Sequence, residues 1–248
     1  MQGIVAVILA AGKSTRMEAK KSKLLFRIHN KPVIQYVANA CKKIGLKEII
    51  VVVGFNSVEI KKILGDRFQY ALQEPQLGTG HALLQVTKSC AAWLNSYKGN
   101  LVVLPGDAPF ITPVIIKKLI NHHNRTGATA TLITAVFENP PSYGRVIRNI
   151  HGKIMKIIEE KDATPTEKLV REVCTSHYCF NAPKVLSLLP KIKTNNCKKE
   201  YYLTDIIEIL SKQGEKISAL QIKESVALKG INTKTDLYEM RKIHNRHS

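Results

Sequence analysis

The stretch VAVILAAGKSTRM, residues 5–17, passes abruptly from apolar to glycine, lysine, serine and arginine. Its first half extends the run IVAVILA (4–10), small and β-branched without alternation, which predicts a strand covered on both faces. Its second half contains Gly12-Lys13-Ser14, which imitates the tail of an ATPase phosphate loop. That loop needs GxxxxGK[ST] so that successive backbone N–H groups wrap the phosphates. The first glycine would have to stand at position 7, and Val7 stands there inside the apolar run. The dinucleotide fingerprint GxGxxG is missing as well. What remains is a strand ending in Ala10-Ala11-Gly12, followed by Lys13, Arg16 and Lys23. Small residues at a strand's carboxyl edge let a ligand approach the backbone, and the N–H groups beyond can receive an anion. Lys13 and Arg16 supply charge suited to a triphosphate, although taken alone two basic residues in a loop are more often just solvated.

Working outward, buried strands alternate with helices. EIIVVV (48–53) and NLVVLPGD (100–107) read as strands, with a further short one at 68–72. Helical patterns occupy 32–44, 57–64, 81–94 and 113–122. This alternation predicts an α/β fold with a mainly parallel sheet. After Gly127 the rhythm changes. ATATLITAVF (128–137) reads as a strand, residues 145–159 as a hairpin turning at His151-Gly152, and 172–180 as another strand. Helices are expected near 183–189 and 203–212, and a last one from Thr233, where Thr233 and Asp236 fit a capping box. The expected organisation is a single domain over 1–248. Its nucleotide-binding half would be 1–125, its sugar-binding half 126–232 and its C-terminal helix 233–248.

Composition excludes several classes. Of 248 residues, 44% are hydrophobic and 23% charged, as in an ordinary globule. No basic region precedes the first apolar run and no apolar stretch reaches about eighteen residues, so a cytoplasmic location without membrane partners is expected. The five cysteines, Cys41, Cys90, Cys174, Cys179 and Cys197, form no CxxC and suggest neither structural zinc nor a disulfide framework. Net charge is +19, crowded locally in residues 13–23, 191–193 and 198–200. Without zinc-finger spacing or an aromatic RNA-binding motif, the charge argues for affinity to anions rather than for a nucleic-acid partner. Asp107, in a glycine turn just past a buried strand, can hold Mg²⁺ or cap the next helix.

Taken in order, LAAGKSTRM (9–17), Lys23, QEPQLGTGHAL (73–83), LPGDAP (104–109), SYGRVIR (142–148), IIEEKDAT (157–164), EYYLTDII (200–207) and GINTK (230–234) resemble the sugar-nucleotide pyrophosphorylases. The resemblance is to the uridylyltransferase half of the bifunctional N-acetylglucosamine-1-phosphate uridylyltransferase/glucosamine-1-phosphate acetyltransferase family, and it covers residues 4 to 245. It implies a Rossmann-like nucleotidyltransferase fold with a mixed, mainly parallel central sheet and a small sugar-side β sub-lobe. It also implies UTP and a sugar 1-phosphate as substrates and Mg²⁺ as cofactor.

Residue by residue, the resemblance implies that the backbone of Ala10, Ala11 and Gly12, with Gln73, Gln76 and Gly78, frames uracil, with Thr79 beside it. Arg16 and Lys23 would meet the phosphates as the catalytic cations, supported by Lys13. Asp107 and Asn232 would hold the metal. Gly144, Glu159, Cys174 and Thr175 would border the sugar, Glu159 accepting from its hydroxyls. His81 is expected to pack or hydrogen-bond at a helix start, not to act as a base.

Two departures qualify the resemblance. The family usually has asparagine before threonine where this chain has Cys174-Thr175, and a thiol is a much weaker hydrogen-bonding group than an amide. That leaves open another acceptor such as glucose 1-phosphate. The family's proteins also continue into a left-handed β-helix with acetyltransferase activity. No hexapeptide repeat occurs here, so acetyl transfer is not expected of this chain, and its oligomeric state is left open.

Overall fold

The computed structural model describes residues 3–14, 17, 21–89, 93, 96–223 and 226–245. Arg16 and Cys90 lie outside the described residues, as does the end of the expected 81–94 helix. The founding strand is β1, Ile4–Ala10, which pairs in parallel with Glu48–Val53 (β4) on one side and Asn100–Pro105 (β6) on the other. A parallel strand with neighbours on both edges and helices on both faces needs apolar side chains throughout, which is why IVAVILA does not alternate.

Between β1 and β4 lie a two-residue ladder of Arg27–Ile28 (β2) with Lys31–Pro32 (β3), and helix α1, Val33–Lys43. After β4 come α2 (Ser57–Leu64), β5 (Gln69–Leu72) and α3 (Thr79–Ser89). The second half supplies β7 (Ala130–Val136), the hairpin β8 (Gly144–Arg148) and β9 (Ile154–Ile158), β10 (Glu172–Asn181) and β11 (Ile217–Gln221). Among the described residues these form a nine-stranded sheet. Its main order is β11-β7-β10-β6-β1-β4-β5, with β8 and β9 attached to the end of β10 as a small side lobe.

Along that main order β10 is the strand that runs against both neighbours; the remaining pairs are parallel. The sheet is thus mixed and mainly parallel, in line with the reading of the sequence. Residues 1–125 supply β1 to β6 and residues 126–232 supply β7 to β11.

Side-chain parity on β1 divides the interior. Ala6, Ile8 and Ala10 face a core made with α1 and the helix Pro113–Thr126. Val5 and Val7 face a second core made with α3 and the helices Ala182–Leu188 and Asp205–Lys212. The last helix, Lys234–Asn245, starts at the expected box: Thr233 Oγ1 accepts from Asp236 N at 3.1 Å, and Asp236 Oδ2 accepts from Thr233 N at 2.7 Å.

The expected elements are present, with boundary shifts of a few residues. Strand β11 was not legible. Its segment ISALQ neither alternates nor runs apolar, and all five residues pair along one edge with β7. No described helix is long and apolar enough to cross a membrane. Cys41, Cys174, Cys179 and Cys197 are free thiols.

Two expected outcomes follow from this interior. Ile8 is fully buried at the centre of the sheet, so Ile8→Ala should cost about 2–5 kcal/mol in urea unfolding; a loss near zero would contradict the two-faced placement of β1. His123, whose Nδ1 meets Thr131 Oγ1 at 2.9 Å, and His177 are both buried, and burial lowers each imidazole to about 4. Unfolded histidine titrates near ~6.5, so between these values the unfolded chain holds the extra protons. Stability should be complete above that range and decline as pH falls toward 4. Melting curves from neutral pH downward should show the decline, and a flat profile would contradict buried neutral histidines.

Candidate active site

Because β1, β4, β5 and β6 are parallel, their carboxyl ends finish along one rim, and a cleft of about 460 Å³ runs beside it. Ligands of open α/β sheets collect at this rim, where the strand ends leave backbone groups facing outward. The floor is the β1 exit. Ala10 and Ala11 are buried there, and Gly106 N and Phe55 N donate to the Leu9 and Ala11 carbonyls at 2.9 and 3.3 Å. At Gly12 an added Cβ would meet nothing within 4 Å, so the backbone is open to close approach.

One end of the cleft is built from the β5 exit and the LGTG turn. Gln73 Nε2 donates to the Gly78 carbonyl at 2.9 Å and lies 3.1 Å from His81 Nδ1; Gln76 Nε2 donates to the Gln73 carbonyl at 2.9 Å. His81 lies between Gln73 and Gln85, whose Nε2 is 2.9 Å from its own, and so hydrogen-bonds at a helix start as its place led us to expect. Burial foremost, and Lys88 after it, lowers its pKa, with a backbone hydrogen bond to Pro75 opposing. The segment YYLTD docks on this turn. Tyr201 N donates to Leu77 O at 2.8 Å, Gly80 N donates to Tyr201 O at 2.7 Å, and Leu203 N donates to Thr79 Oγ1 at 2.9 Å.

This docking gives the reason for glycine at position 78. Its φ is +110°, and a Cβ would come within 2.6 Å of the Tyr201 carbonyl oxygen. Gly78 lines the cleft, and its missing side chain makes room for Tyr201.

At the centre stands a charged node. Lys23 begins a short 3-10 turn, and its backbone N donates to Ser14 Oγ at 2.9 Å. Its ammonium is ion-paired with Asp107 Oδ2 and donates to Asn232 Oδ1 at 2.9 Å. Asp107 follows β6, Asn232 precedes the last helix, and Ile231 N donates to the Asp107 carbonyl at 2.9 Å. Three remote segments thus meet on one cation. Lys13 also lines the cleft.

The other end is made by β8, β9 and β10. Five residues of β10, from Cys174 to Tyr178, lie against three of β7, Thr134 to Leu132, and Ser176 takes φ +62° within this irregularity. Thr175 and Ser176 reach the cleft wall as a result. Thr175 Oγ1 donates to the Ile133 carbonyl at 3.1 Å and contacts His177 Nδ1 at 3.0 Å. Glu159 accepts from Thr204 Oγ1 at 3.0 Å; burial raises its pKa, with Thr204 and Lys198 opposing the shift.

The structure brings together Ala10, Ala11, Gly12, Lys13, Lys23, Gln73, Gln76, Gly78, Thr79, Asp107, Gly144, Glu159, Thr175 and Asn232 around this one cleft. Cys174 is not on its wall. The thiol is buried and donates to Tyr178 Oη at 3.3 Å, and it is Tyr178 that borders the cleft.

Residues 6–177 match the MobA-like NTP transferase domain. The chain belongs to this family. Bifunctional protein GlmU from Acetivibrio thermocellus is 42% identical over 243 residues, covering 98% of this chain and 52% of that protein. The counterpart from Enterococcus faecalis is 40% identical over 246 residues, covering 99% of this chain and 53% of its own length. The chain thus spans about half the length of the curated relatives it matches. Among solved structures, UDP-glucose pyrophosphorylase complexed with UDP-glucose superposes with a TM-score of 0.77 at 18% identity over 100% of both chains, a likeness of fold.

Within this NTP transferase cleft, Ser14, Tyr143, Ser176, Tyr178, Lys198 and Tyr202 are lining residues that the sequence did not single out. Tyr202 and Tyr143 lay inside quoted motifs, so a signal existed for them. Tyr178 and Ser176 reach the wall through the β10 irregularity, which no local pattern announces. Gly78→Ala should destabilise by about 1–3 kcal/mol, from the positive φ and the Tyr201 contact together, measured by denaturant unfolding. An unchanged midpoint would contradict the docking of Tyr201 on the turn.

Proposed function

We propose that the chain is a uridylyltransferase that uses Mg²⁺ to join UTP and N-acetyl-α-D-glucosamine 1-phosphate, forming UDP-N-acetylglucosamine and pyrophosphate. The observation that carries this reading is the node in which the Lys23 ammonium bridges Asp107 and Asn232 midway along the cleft. Family membership and the GlmU relatives support it.

The donor set suits a divalent cation. A carboxylate and an amide oxygen already converge on one positive charge, and Mg²⁺ favours one or two carboxylates completed by substrate phosphates. Among the described residues no three His, Cys, Asp or Glu side chains cluster as a metal site. Asp107 and Asn232 would hold the ion, which when bound neutralises developing charge on the phosphates.

The remaining work falls to the chain. The open backbone at Gly12 and the amides of Gln73 and Gln76 offer donors and acceptors to a pyrimidine edge. Lys23 and Lys13, with Arg16 assigned by the resemblance, would hold the triphosphate. Glu159 and Thr175 would orient the sugar so that its phosphate oxygen lies in line with the α-phosphorus. That oxygen is already ionised, so no side-chain base is needed; alignment and charge suffice. Glucose 1-phosphate as acceptor drew its support from Cys174, which lies behind the cleft wall.

Pyrophosphate release with UTP, Mg²⁺ and a panel of sugar 1-phosphates tests the reading, with fastest turnover expected for N-acetylglucosamine 1-phosphate. Asp107→Asn, Lys23→Ala and Arg16→Ala should each lower kcat/KM by about 10²–10³ with unchanged circular dichroism. No turnover with any sugar phosphate, or wild-type rates in these variants, would overturn it.

A further inference from the structure

We infer that Tyr143 is a positioning residue for the metal-binding pair: its hydroxyl holds the segment 230–232 in place and so sets where Asn232 stands against Asp107. The inference rests on the proposed reading of Asp107 and Asn232 as the holders of Mg²⁺ and adds a residue to that site.

Its basis is a chain of hydrogen bonds from the sugar-side lobe to the charged node. Tyr143 lines the cleft just before β8. Its backbone is fixed by Arg145, a buried residue whose guanidinium donates to the carbonyls of Tyr143 and, at 2.9 Å, of Pro141. Tyr143 N donates to Pro141 O at 2.7 Å, which closes the loop on itself. The ring packs against the core that Ala6, Ile8 and Ala10 share with α1. Held in this way, Tyr143 presents its hydroxyl to the far end of the chain, where Gly230 N donates to Oη at 2.9 Å.

Gly230 is the point at which that restraint reaches the metal pair. Its φ is not positive, yet a Cβ there would stand 3.0 Å from Asp107 Oδ1. The other carboxylate oxygen, Oδ2, is paired with Lys23. The Asp107 carboxylate is thus set between the Gly230 backbone and an ammonium. One residue on, Ile231 N donates to the Asp107 carbonyl at 2.9 Å, and then Asn232 Oδ1 accepts from Lys23 at 2.9 Å. The segment is tied beyond this point by Asp236 Oδ2, which accepts from Asn232 N at 2.8 Å and from Thr233 N at 2.7 Å. Its near end is tied by the Tyr143 hydroxyl. Two ligands from remote segments bind an ion more tightly when their separation is fixed beforehand, because less ordering is left to the binding step. Removing that hydroxyl loosens the near end and leaves the helix cap intact.

The test is metal binding by the UTP complex, with Mn²⁺ as the probe and proton relaxation enhancement reporting the ion on the protein. It compares the wild type with Tyr143→Phe, Gly230→Ala and Tyr36→Phe. Tyr143→Phe keeps the ring and removes the acceptor. It should raise the Mn²⁺ dissociation constant roughly 3- to 10-fold, as expected for one neutral hydrogen bond. Gly230→Ala, which sets a methyl against Asp107 Oδ1, should raise it too. Tyr36→Phe is the control. Its ring packs on the same core and its hydroxyl donates to Ile28 O at 2.9 Å, and neither residue lines the cleft. Its Mn²⁺ constant should stay within about twofold of the wild type. In steady-state assays the apparent Mg²⁺ constant of Tyr143→Phe should rise by the same factor, and excess Mg²⁺ should restore most of its kcat. An unchanged Mn²⁺ constant in Tyr143→Phe or Gly230→Ala, an equal rise in Tyr36→Phe, a kcat loss that Mg²⁺ does not restore, or no Mn²⁺ binding by the wild type overturns the inference. If the wild type binds Mn²⁺ and UTP yet releases no pyrophosphate with any sugar phosphate, the uridylyltransferase reading fails by itself. The relaxation titration then still decides on Tyr143.

Discussion

The parallel ladder β4-β1-β6 is the constraint on which the other features rest. Each of its two interfaces keeps an unbroken register over six residue pairs, so the exits of β1, β4 and β6 end on one rim. Backbone groups that would have continued the ladder are released there together, along with whatever side chains follow each strand. Ala10-Ala11-Gly12, Gly54 and Gly106-Asp107 are therefore neighbours although the sequence separates them widely. The two hydrophobic cores hold the ladder from either side, and a displacement of β1 by one residue would exchange every core contact it makes.

On that rim the chemistry is divided by charge. Lys23, from the loop after β1, meets Asp107 and Asn232 at the centre, and the β8-β9-β10 end presents Glu159 together with hydroxyls. Glu159 keeps its place through Thr204, from the same YYLTD segment that docks on the LGTG turn at the opposite end. One segment consequently spans the cleft, and the spacing between its two ends is a property of that segment and not of two separate loops. Strand β10, running against its neighbours, is what allows the second half of the chain to approach the rim from the other direction.

The wall on the β10 side shows why a residue's place in a motif and its place in a site can differ. Cys174 occupies a motif position that the resemblance assigns to the sugar, yet its thiol faces Tyr178 and the solvent-excluded layer. The irregularity that follows it turns Thr175 and Ser176 toward the cleft and leaves Tyr178 at the boundary. A departure that looks like lost recognition at one position thereby becomes support for a neighbour four residues along.

Much of this was legible in the order of residues. IVAVILA without alternation, the missing glycine at Val7, the helix and strand periods and the capping of the last helix are all local signals, set by what each stretch must bury or satisfy within a few residues. Most of the lining residues were also readable, because they sit in short motifs at strand exits. The β11 edge, the occupant of the space at Gly78, the burial of Cys174 and the approach of Tyr178 were not. Each depends on which distant segment arrives beside it: β7 for the edge strand, Tyr201 for the glycine, and the β10 irregularity against β7 for the cysteine and tyrosine. Hydrophobic period states which face is inward, but the identity of the neighbour on that face is settled only when the chain closes on itself.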